Sequence, residues 1–387
     1  MSEQNILDLV AGYTEVRARK EERERTGSDF QEQRGAVAAT VVQLHPKRLA
    51  LEVVEIIDET PSTRTLRVRA ADGRDLPPFQ AGQYVNVFTD IDGVSTARPY
   101  AMSSSPARRD HYDLTVKRAP GGFVSPYLID RVEVGQILQS SGPMGTFHHN
   151  PVFHGDDLVF LAGGSGGAPA RAILLDILDR GMPIRFHLIY VNSHTDDVIF
   201  ADEFRELARR HANFTLSEVI TRPAADYQGL TGRPSAAMLA PLLGELADKM
   251  FYICGPTPFN ESCVSLLAEL GVKRRRIRVE ANGAPKSPDT LPDWPQGVSM
   301  DDEVTVTVRG RGSYRARGGE PLLNSLERNG FGAENACRSG ECSLCRIKLV
   351  SGRVFNPPEA HLRKSDRDFG WIYSCVAFPL GDIEIQL

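Results

Sequence analysis

Residues 49–151 carry their apolar positions in short alternating runs: LALEVVEIIDET, TRTLRVRA, QYVNVFTD, YDLTVKRA and QILQSSG, separated by DG, PP and GG. An alternation of two, rich in β-branched residues and bounded by turn formers, is the pattern of half-buried strands. Several such strands at this spacing predict an antiparallel barrel. The pattern changes over residues 152–284. There DLVFLAGG, IRFHLIYVN, NFTLSEVI and KMFYICGP are strand-like runs, while APARAILLDILDRG, DEFRELARRH and SAAMLAPLLGELAD between them have helical spacing. Apolar strands alternating with helices predict a parallel sheet covered on both faces. Residues 285–302 are proline-rich and aperiodic, the mark of a linker. A last domain, 303–387, opens on EVTVTVRG. Residues 1–48 are highly charged (EVRARKEERER) with little to bury. They predict a solvated helix or a disordered tail, with a docking helix as the alternative.

Composition alters this picture little. Of 387 residues, 41% are hydrophobic and 25% charged, as expected for a folded chain with more than one core. A formal net charge of −5 gives no reason to expect nucleic acid or an anionic membrane as partner. No apolar run reaches the about 18 residues that would span a bilayer. The N-terminal residues lack the basic-then-apolar order of a secretory signal. A cytoplasmic location is therefore expected, where clustered cysteines more often bind metal than pair.

Cysteine spacing then changes the picture sharply. Three of the six cysteines, Cys337, Cys342 and Cys345, crowd into ACRSGECSLCRIKLVSG, and Cys375 in WIYSCVAF supplies a distant fourth. C-x4-C-x2-C with a remote cysteine is the plant-type [2Fe–2S] spacing. Structural zinc more often uses paired C-x2-C units or Cys with His, and only His361 lies anywhere near. Ser339, Gly340 and Ser343 are small enough to let backbone N–H groups turn toward sulfur. Iron–sulfur is the reading; zinc and a redox disulfide are its rivals.

Three further motifs suggest cofactors. LAGGSGGAPA runs from strand through glycines to helix, with Gly163, Gly164, Ser165, Gly166, Gly167 and Pro169 in the turn. Exposed N–H groups and a helix dipole meeting there suit a dinucleotide pyrophosphate, although a tight turn alone also takes glycine. ICGPTPF places Cys254, Gly255 and Pro256 at the carboxyl end of a parallel strand, where ligands bind. A buried thiol serving only as core filler is the alternative. In RPYAMSSSP, Arg98 could pair with a phosphate, Tyr100 could pack on a ring, and Ser103 could offer a hydroxyl to a flavin nitrogen. Gly121 and Gly122 would let backbone approach a phosphate closely. Each has an ordinary alternative: a surface arginine, a half-buried tyrosine, a turn of glycines.

In this order the motifs resemble ferredoxin-NADP-reductase-like flavoproteins fused to a C-terminal plant-type ferredoxin. That is the arrangement of oxygenase reductases such as phthalate dioxygenase reductase and ketosteroid hydroxylase reductase. The resemblance covers residues 50–387. It implies an antiparallel β-barrel that binds flavin, an α/β nucleotide domain and a β-grasp ferredoxin domain. It also implies that Arg98, Tyr100, Ala101, Ser103 and Lys117 line the flavin, with Gly121, Gly122 and Ser125 as its phosphate loop. GPMGTF matches the turn that closes the flavin domain, and CGP faces the nicotinamide. By the same resemblance Ser103 and Cys254 are the catalytic residues, and Glu280 is a cofactor neighbour. A departure follows Glu280: Ala281-Asn282 stand where members carry an aromatic ring that covers the flavin.

The form of the flavin motif favours FAD over FMN. The absence of an arginine in YVNSHTDDVIF favours NADH over NADPH, while Thr221-Arg222 argues the other way. The implied function is an electron-transfer reductase. Hydride passes from the nicotinamide to flavin, and single electrons pass through the cluster to a separate oxygenase or demethylase component. Glu334 and Glu341 are candidates for steering that partner, with an ordinary solvated face as the alternative for each. Two other readings stand beside it: a self-contained flavin reductase of a small acceptor, and a zinc-stabilised interaction module with a vestigial flavin fold.

Overall fold

The computed structural model describes residues 12–26, 39–40, 43–44, 46, 48–280, 283–357, 360 and 362–387. The chain divides into two compact units, Met1–Lys47 and Arg48–Leu387. In the first, Tyr13–Thr26 is a helix with no buried residue. It carries surface pairs such as Arg17–Glu21 at 3.0 Å. The helix lies within the charged extension; most of the rest of 1–48 lies outside the described residues.

The second unit holds three sheets. In the first, β1 (Leu49–Thr60), β2 (Thr63–Ala70), β3 (Tyr84–Ile91), β4 (Val94–Ala101), β5 (Tyr112–Lys117) and β6 (Ile137–Ser140) are ordered β4-β3-β6-β1-β2-β5. All its pairings are antiparallel. A bridge between Met102 and Leu114 joins the end of β4 to β5 and curls the sheet toward closure. Alternate residues such as Leu51, Val53, Leu66, Val68, Val85 and Val87 fill the interior, which is what an alternation of two provides. Strand β4, VSTARPYA, has no buried residue but Ala97. It therefore lacks the alternation by which its neighbours are recognised.

The second sheet contains β7 (Asp157–Gly163), β8 (Arg185–Asn192), β9 (Phe214–Ile220), β10 (Leu230–Thr231), β11 (Met250–Cys254) and β12 (Ile277–Val279). Its order is β10-β9-β8-β7-β11-β12, parallel throughout. Every residue of β7 and β11 is buried. One core lies on the side of the helix Gly167–Asp179, and another holds Cys263 and Leu267 of the helix Thr257–Glu269. The chain leaves β7 in one direction for β8 and returns on its other side at β11. The crevice at their carboxyl ends is thus a topological switch point, where open α/β sheets bind ligands.

The third sheet is built from β13 (Glu303–Val308), β14 (Gly312–Arg317), β15 (Arg346–Ser351), β17 (Trp371–Tyr373) and β19 (Ile383–Gln386), beside a small pair of β16 (Val354–Phe355) and β18 (Phe378–Pro379). Its order is β14-β13-β19-β15-β17. The helix Leu322–Arg328 packs Leu322 and Leu326 onto it. Among the described residues no helix is long and apolar enough to cross a membrane.

Candidate functional site

At the switch point, β7 runs into a single 3-10 turn, Gly164–Gly166, and then the helix Gly167–Asp179. The glycines are demanded by closeness. A Cβ on Gly166 would overlap the Cys254 carbonyl, and one on Gly167 would overlap the Tyr190 hydroxyl. On Gly163 or Gly255 it would press into the Phe259 ring. Gly164 has a φ of +53°, which an L side chain adopts only with strain. Tyr190 donates its hydroxyl to the Gly164 carbonyl at 2.8 Å. Cys254 itself is buried at 6% exposure. The turn and the CGP segment are therefore pressed together, with helix N–H groups directed at the crevice. The arrangement fits a dinucleotide pyrophosphate. Thr221 and Arg222 donate backbone N–H groups to Asn192 and Ser193, and Arg222 is exposed.

On the barrel, Arg98 is half-buried in β4, and its guanidinium donates to the Thr96 hydroxyl at 2.8 Å and the Ala97 carbonyl at 2.7 Å. Among the described residues it has no carboxylate partner. Burial, and then the nearby Arg338, hold it below the usual arginine range. A half-buried cation without a carboxylate partner is suited to an anion, so the residue fits a cofactor phosphate. Tyr100 packs against the barrel core. Ala101 ends β4, half-exposed. Gly121 has φ +66° and open space at its Cβ, whereas a Cβ on Gly122 would crowd Ala119 and Ser125. Ser125 Oγ accepts the Ala119 N–H at 2.9 Å.

Two expectations change here. Ser103 has no exposed surface. Its hydroxyl lies 3.1 Å from the Asp113 carbonyl and 2.7 Å from the Thr115 hydroxyl. With both groups already engaged inside the barrel, it does not point to a ligand, and a catalytic hydroxyl at Ser103 does not fit this geometry. Lys117 is likewise engaged: its Nζ is 2.8 Å from Asp197 Oδ2 in the parallel-sheet domain. Asp197 also accepts the hydroxyls of Thr60 and Ser62 at 2.5 and 2.7 Å.

A second tie between barrel and parallel-sheet domain centres on Asp113. This buried carboxylate receives Arg67 in a fork at 2.8 and 3.1 Å, with Arg171 at 3.5 Å. Arg171, on the helix Gly167–Asp179, also forks onto Glu203 at 2.6 and 3.0 Å and donates to the Ser103 carbonyl at 2.9 Å. None of Arg67, Asp113, Arg171 and Glu203 belongs to a motif. Their only signal is the juxtaposition itself.

All four cysteines of the third domain are buried free thiols. Cys345 Sγ and Cys375 Sγ lie 3.2 Å apart. Ser339 N and Cys342 N donate toward Cys337 Sγ at 3.5 and 3.4 Å. Arg338 and Ser343 take φ of +57° and +56°, and Gly340 +82°, so the loop coils N–H groups inward as the small residues predict. Among the described residues no three His, Cys, Asp or Glu groups are arranged to hold a single ion. The four thiols, in the plant-type spacing, fit a [2Fe–2S] cluster.

The loop faces the barrel. Cys337, Cys342 and Ala336 share one apolar cluster with Tyr84 of β3 and Ala97 of β4. Tyr84 donates its hydroxyl to Glu341 at 3.2 Å. Glu341 thus points inward, which corrects its expected role in steering an outside partner. Glu280 comes from the second sheet to the same junction. Its Oε2 is buried with no hydrogen-bond partner among the described residues, and burial, then Glu341 and Cys337, push its carboxyl up. Ala281 and Asn282, where an aromatic cover was expected to be missing, lie outside the described residues, as does His361.

Known proteins share these parts. Residues 50–149 match the oxidoreductase FAD-binding domain, 160–265 the oxidoreductase NAD-binding domain, and 306–380 the 2Fe-2S iron-sulfur cluster binding domain. The ferredoxin reductase component of 3-ketosteroid-9-alpha-monooxygenase from Mycobacterium tuberculosis is 31% identical over 352 residues, covering 86% of this chain and 94% of that one. The glycine betaine monooxygenase reductase subunit of Pseudomonas aeruginosa is 29% identical, covering 88% and 95%. The fold is also that of phthalate dioxygenase reductase, with a TM-score of 0.60 at 19% identity over 88% of this chain and 98% of that one.

Proposed function

The chain belongs to the oxygenase reductase components that join FAD-binding, NAD-binding and 2Fe-2S domains, and from that premise we propose which of its residues carry the electrons. It is an NAD(P)H-dependent oxidoreductase that delivers electrons to a separate oxygenase component. When bound, NADH supplies hydride, FAD accepts it and releases single electrons, and the cluster relays them. The residues divide as follows. The turn at Gly164–Gly167 receives the nucleotide pyrophosphate, and Cys254, Gly255 and Pro256 wall the nicotinamide. Arg98 holds the flavin phosphate, and the Gly121–Gly122 loop lies alongside it. Cys337, Cys342, Cys345 and Cys375 hold the cluster.

One observation carries the reading: Cys337 and Cys342 share an apolar contact with Tyr84 and Ala97, adjacent to Arg98. The contact supports the reading because it brings two of the proposed cluster ligands next to the proposed flavin strand through apolar side chains, with Glu341 bonded to Tyr84 at its edge. NADH is the preferred donor, because the segment YVNSHTDDVIF at the end of β8 carries no arginine to receive an additional phosphate; Arg222, whose backbone bonds Ser193 there, is the residue that would favour NADPH. The six free cysteines suit a reducing, cytoplasmic setting.

The test is Cys342→Ala in the holoprotein. NADH-driven reduction of menadione at the flavin is expected to persist. The visible absorbance of the cluster and reduction of a protein acceptor are expected to fall at least about a hundredfold, as for loss of a required redox relay. Undiminished transfer to the physiological acceptor would instead favour a self-contained flavin reductase.

A further inference from the structure

The four cysteines divide between two apolar groups, and Cys337 and Cys342 lie in the one that touches the barrel. Cys345 and Cys375 lie in the other, with Leu362, Tyr373 and Val376. Tyr373 spans outward from there, its hydroxyl donating to Asp366 Oδ2 at 3.4 Å. Asp366 Oδ1 receives Arg346 at 3.2 Å, and Arg346 is bonded directly to Cys345 along the chain. The surface reached by these short connections is basic. Arg363, Lys364 and Arg367 are exposed on and beside the short helix Lys364–Asp368, and no carboxylate among the described residues pairs with them. Arg346 and Lys348 lie over the Trp371 ring at 4.7 and 5.5 Å. Phe369, between the helix and β17, is 69% exposed. Against these cations stand Asp366, already paired, and the exposed Asp368. The barrel-facing side has the opposite character, with Glu280 and Glu341 turned inward.

We infer that this face, Arg363–Lys364–Arg367 with Phe369 and the Trp371 edge, is where the oxygenase component docks, and that its partner surface is acidic. The inference rests on the electron-transfer reading above. Charge complementarity of this kind raises encounter rates and sets orientation. Exposed aromatic area supplies the short-range contact of a small, transient interface. One electron leaves by this face per encounter, with no bond made or broken. Two encounters discharge the pair supplied by one NADH.

The experiment reverses the charges in the full-length holoprotein: Arg363→Glu, Lys364→Glu and Arg367→Glu together. The probes are the acidic haem protein cytochrome b5 and the basic cytochrome c, each followed over a range of salt. For the wild type, reduction of cytochrome b5 is expected to slow as salt rises. In the triple variant its low-salt rate constant is expected to fall on the order of tenfold and lose that salt dependence, with cytochrome c unchanged or faster. Anaerobic bleaching of the cluster by NADH and reduction of menadione are expected to match wild type, which separates docking from folding and from internal transfer. Phe369→Ala alone is expected to slow cytochrome b5 reduction about threefold at every salt concentration. An unchanged cytochrome b5 rate in both variants overturns the proposal. So does binding of the wild type, but not the triple variant, to vesicles containing phosphatidylserine with no change in that rate. If NADH does not bleach the wild-type cluster, the electron-transfer reading itself fails.

Discussion

The barrel meets its two neighbours through surfaces of opposite chemistry. Toward the nucleotide domain the contact is ionic and directional: Lys117 on Asp197 at 2.8 Å, and Arg171 binding both Glu203 and the Ser103 carbonyl. Toward the cluster loop it is an apolar patch of Tyr84, Ala97, Ala336, Cys337 and Cys342, with the hydrogen bond from Tyr84 to Glu341 at its edge. The difference follows from what crosses each surface. Chemistry between two bound rings depends on distance and angle, so the domains that hold them must be locked in register. Passage of an electron asks chiefly for closeness and a dry path, which an apolar contact provides without fixing an angle.

Removing the centre of the ionic contact is therefore expected to have the largest effect. Asp113→Ala leaves Arg67 and Arg171 without the buried carboxylate they share, and its side chain is only 3% exposed. Both arginines keep a second carboxylate, Glu55 and Glu203, so the expected cost is about 3 kcal/mol, the lower end for breaking a buried pair from one side, which a guanidinium titration of the holoprotein would measure. Hydride transfer measured by stopped flow should slow as well, because the Ser103 segment loses register with the helix carrying Arg171. A loss below about 1 kcal/mol would place the pair among the inexpensive surface bridges and break the contrast.

How much of this was legible in the sequence depended on how local the signal is. The four cysteines sit in one loop plus a distant fourth residue, and the glycine turn is continuous in sequence, so both patterns stand out from spacing. The alternation of β1, β2 and β3 predicted the barrel. Strand β4 escaped because its burial does not alternate, although it carries Arg98. Ser103 misled because a motif names a residue but does not say which way its hydroxyl turns. Here the β5 residues Asp113 and Thr115 claim it. The clamps were illegible for a related reason. Lys117 and Asp197 are 80 residues apart and Arg171 and Ser103 are 68 apart, and no periodicity connects such pairs. Glu341 was visible but misassigned, since a carboxylate beside a cluster loop can face either way until the neighbouring domain is in place.

An intermediate effect is expected at Asp197. Burial tends to raise its pKa, but hydrogen bonds from Lys117, Thr60 and Ser62 and the charge of Lys117 outweigh that, leaving it below the ordinary 3.8. A carboxylate with a depressed folded pKa releases its proton more readily in the native state. Its stabilisation is therefore full above the ordinary value and is lost as pH falls through the folded one. Asp197→Asn is expected to cost roughly 1–2 kcal/mol near neutrality, discounted for its partial exposure. It should cost progressively less below about pH 4, the window set by that depressed pKa. Denaturation at pH 7 and pH 3.5 tests the sign. A cost that grows on acidification would mean the Lys117 clamp does not depend on a charged Asp197.

The smallest effect is expected where the apolar contact has its polar edge. Tyr84→Phe removes the hydroxyl that donates to Glu341 at 3.2 Å while leaving the ring, which is 3% exposed, packed against Cys337 and Cys342. A single hydrogen bond of this kind contributes on the order of 1 kcal/mol. The ring still excludes water and the distance is unchanged, so electron transfer from flavin to cluster after an NADH pulse should stay within about twofold of wild type, since an electron path needs no proton donor. A tenfold slowing with the visible spectrum intact would show that this surface, too, depends on orientation. The hydroxyl would then be aligning the cluster loop on the barrel, as Arg171 aligns the nucleotide helix on the other side.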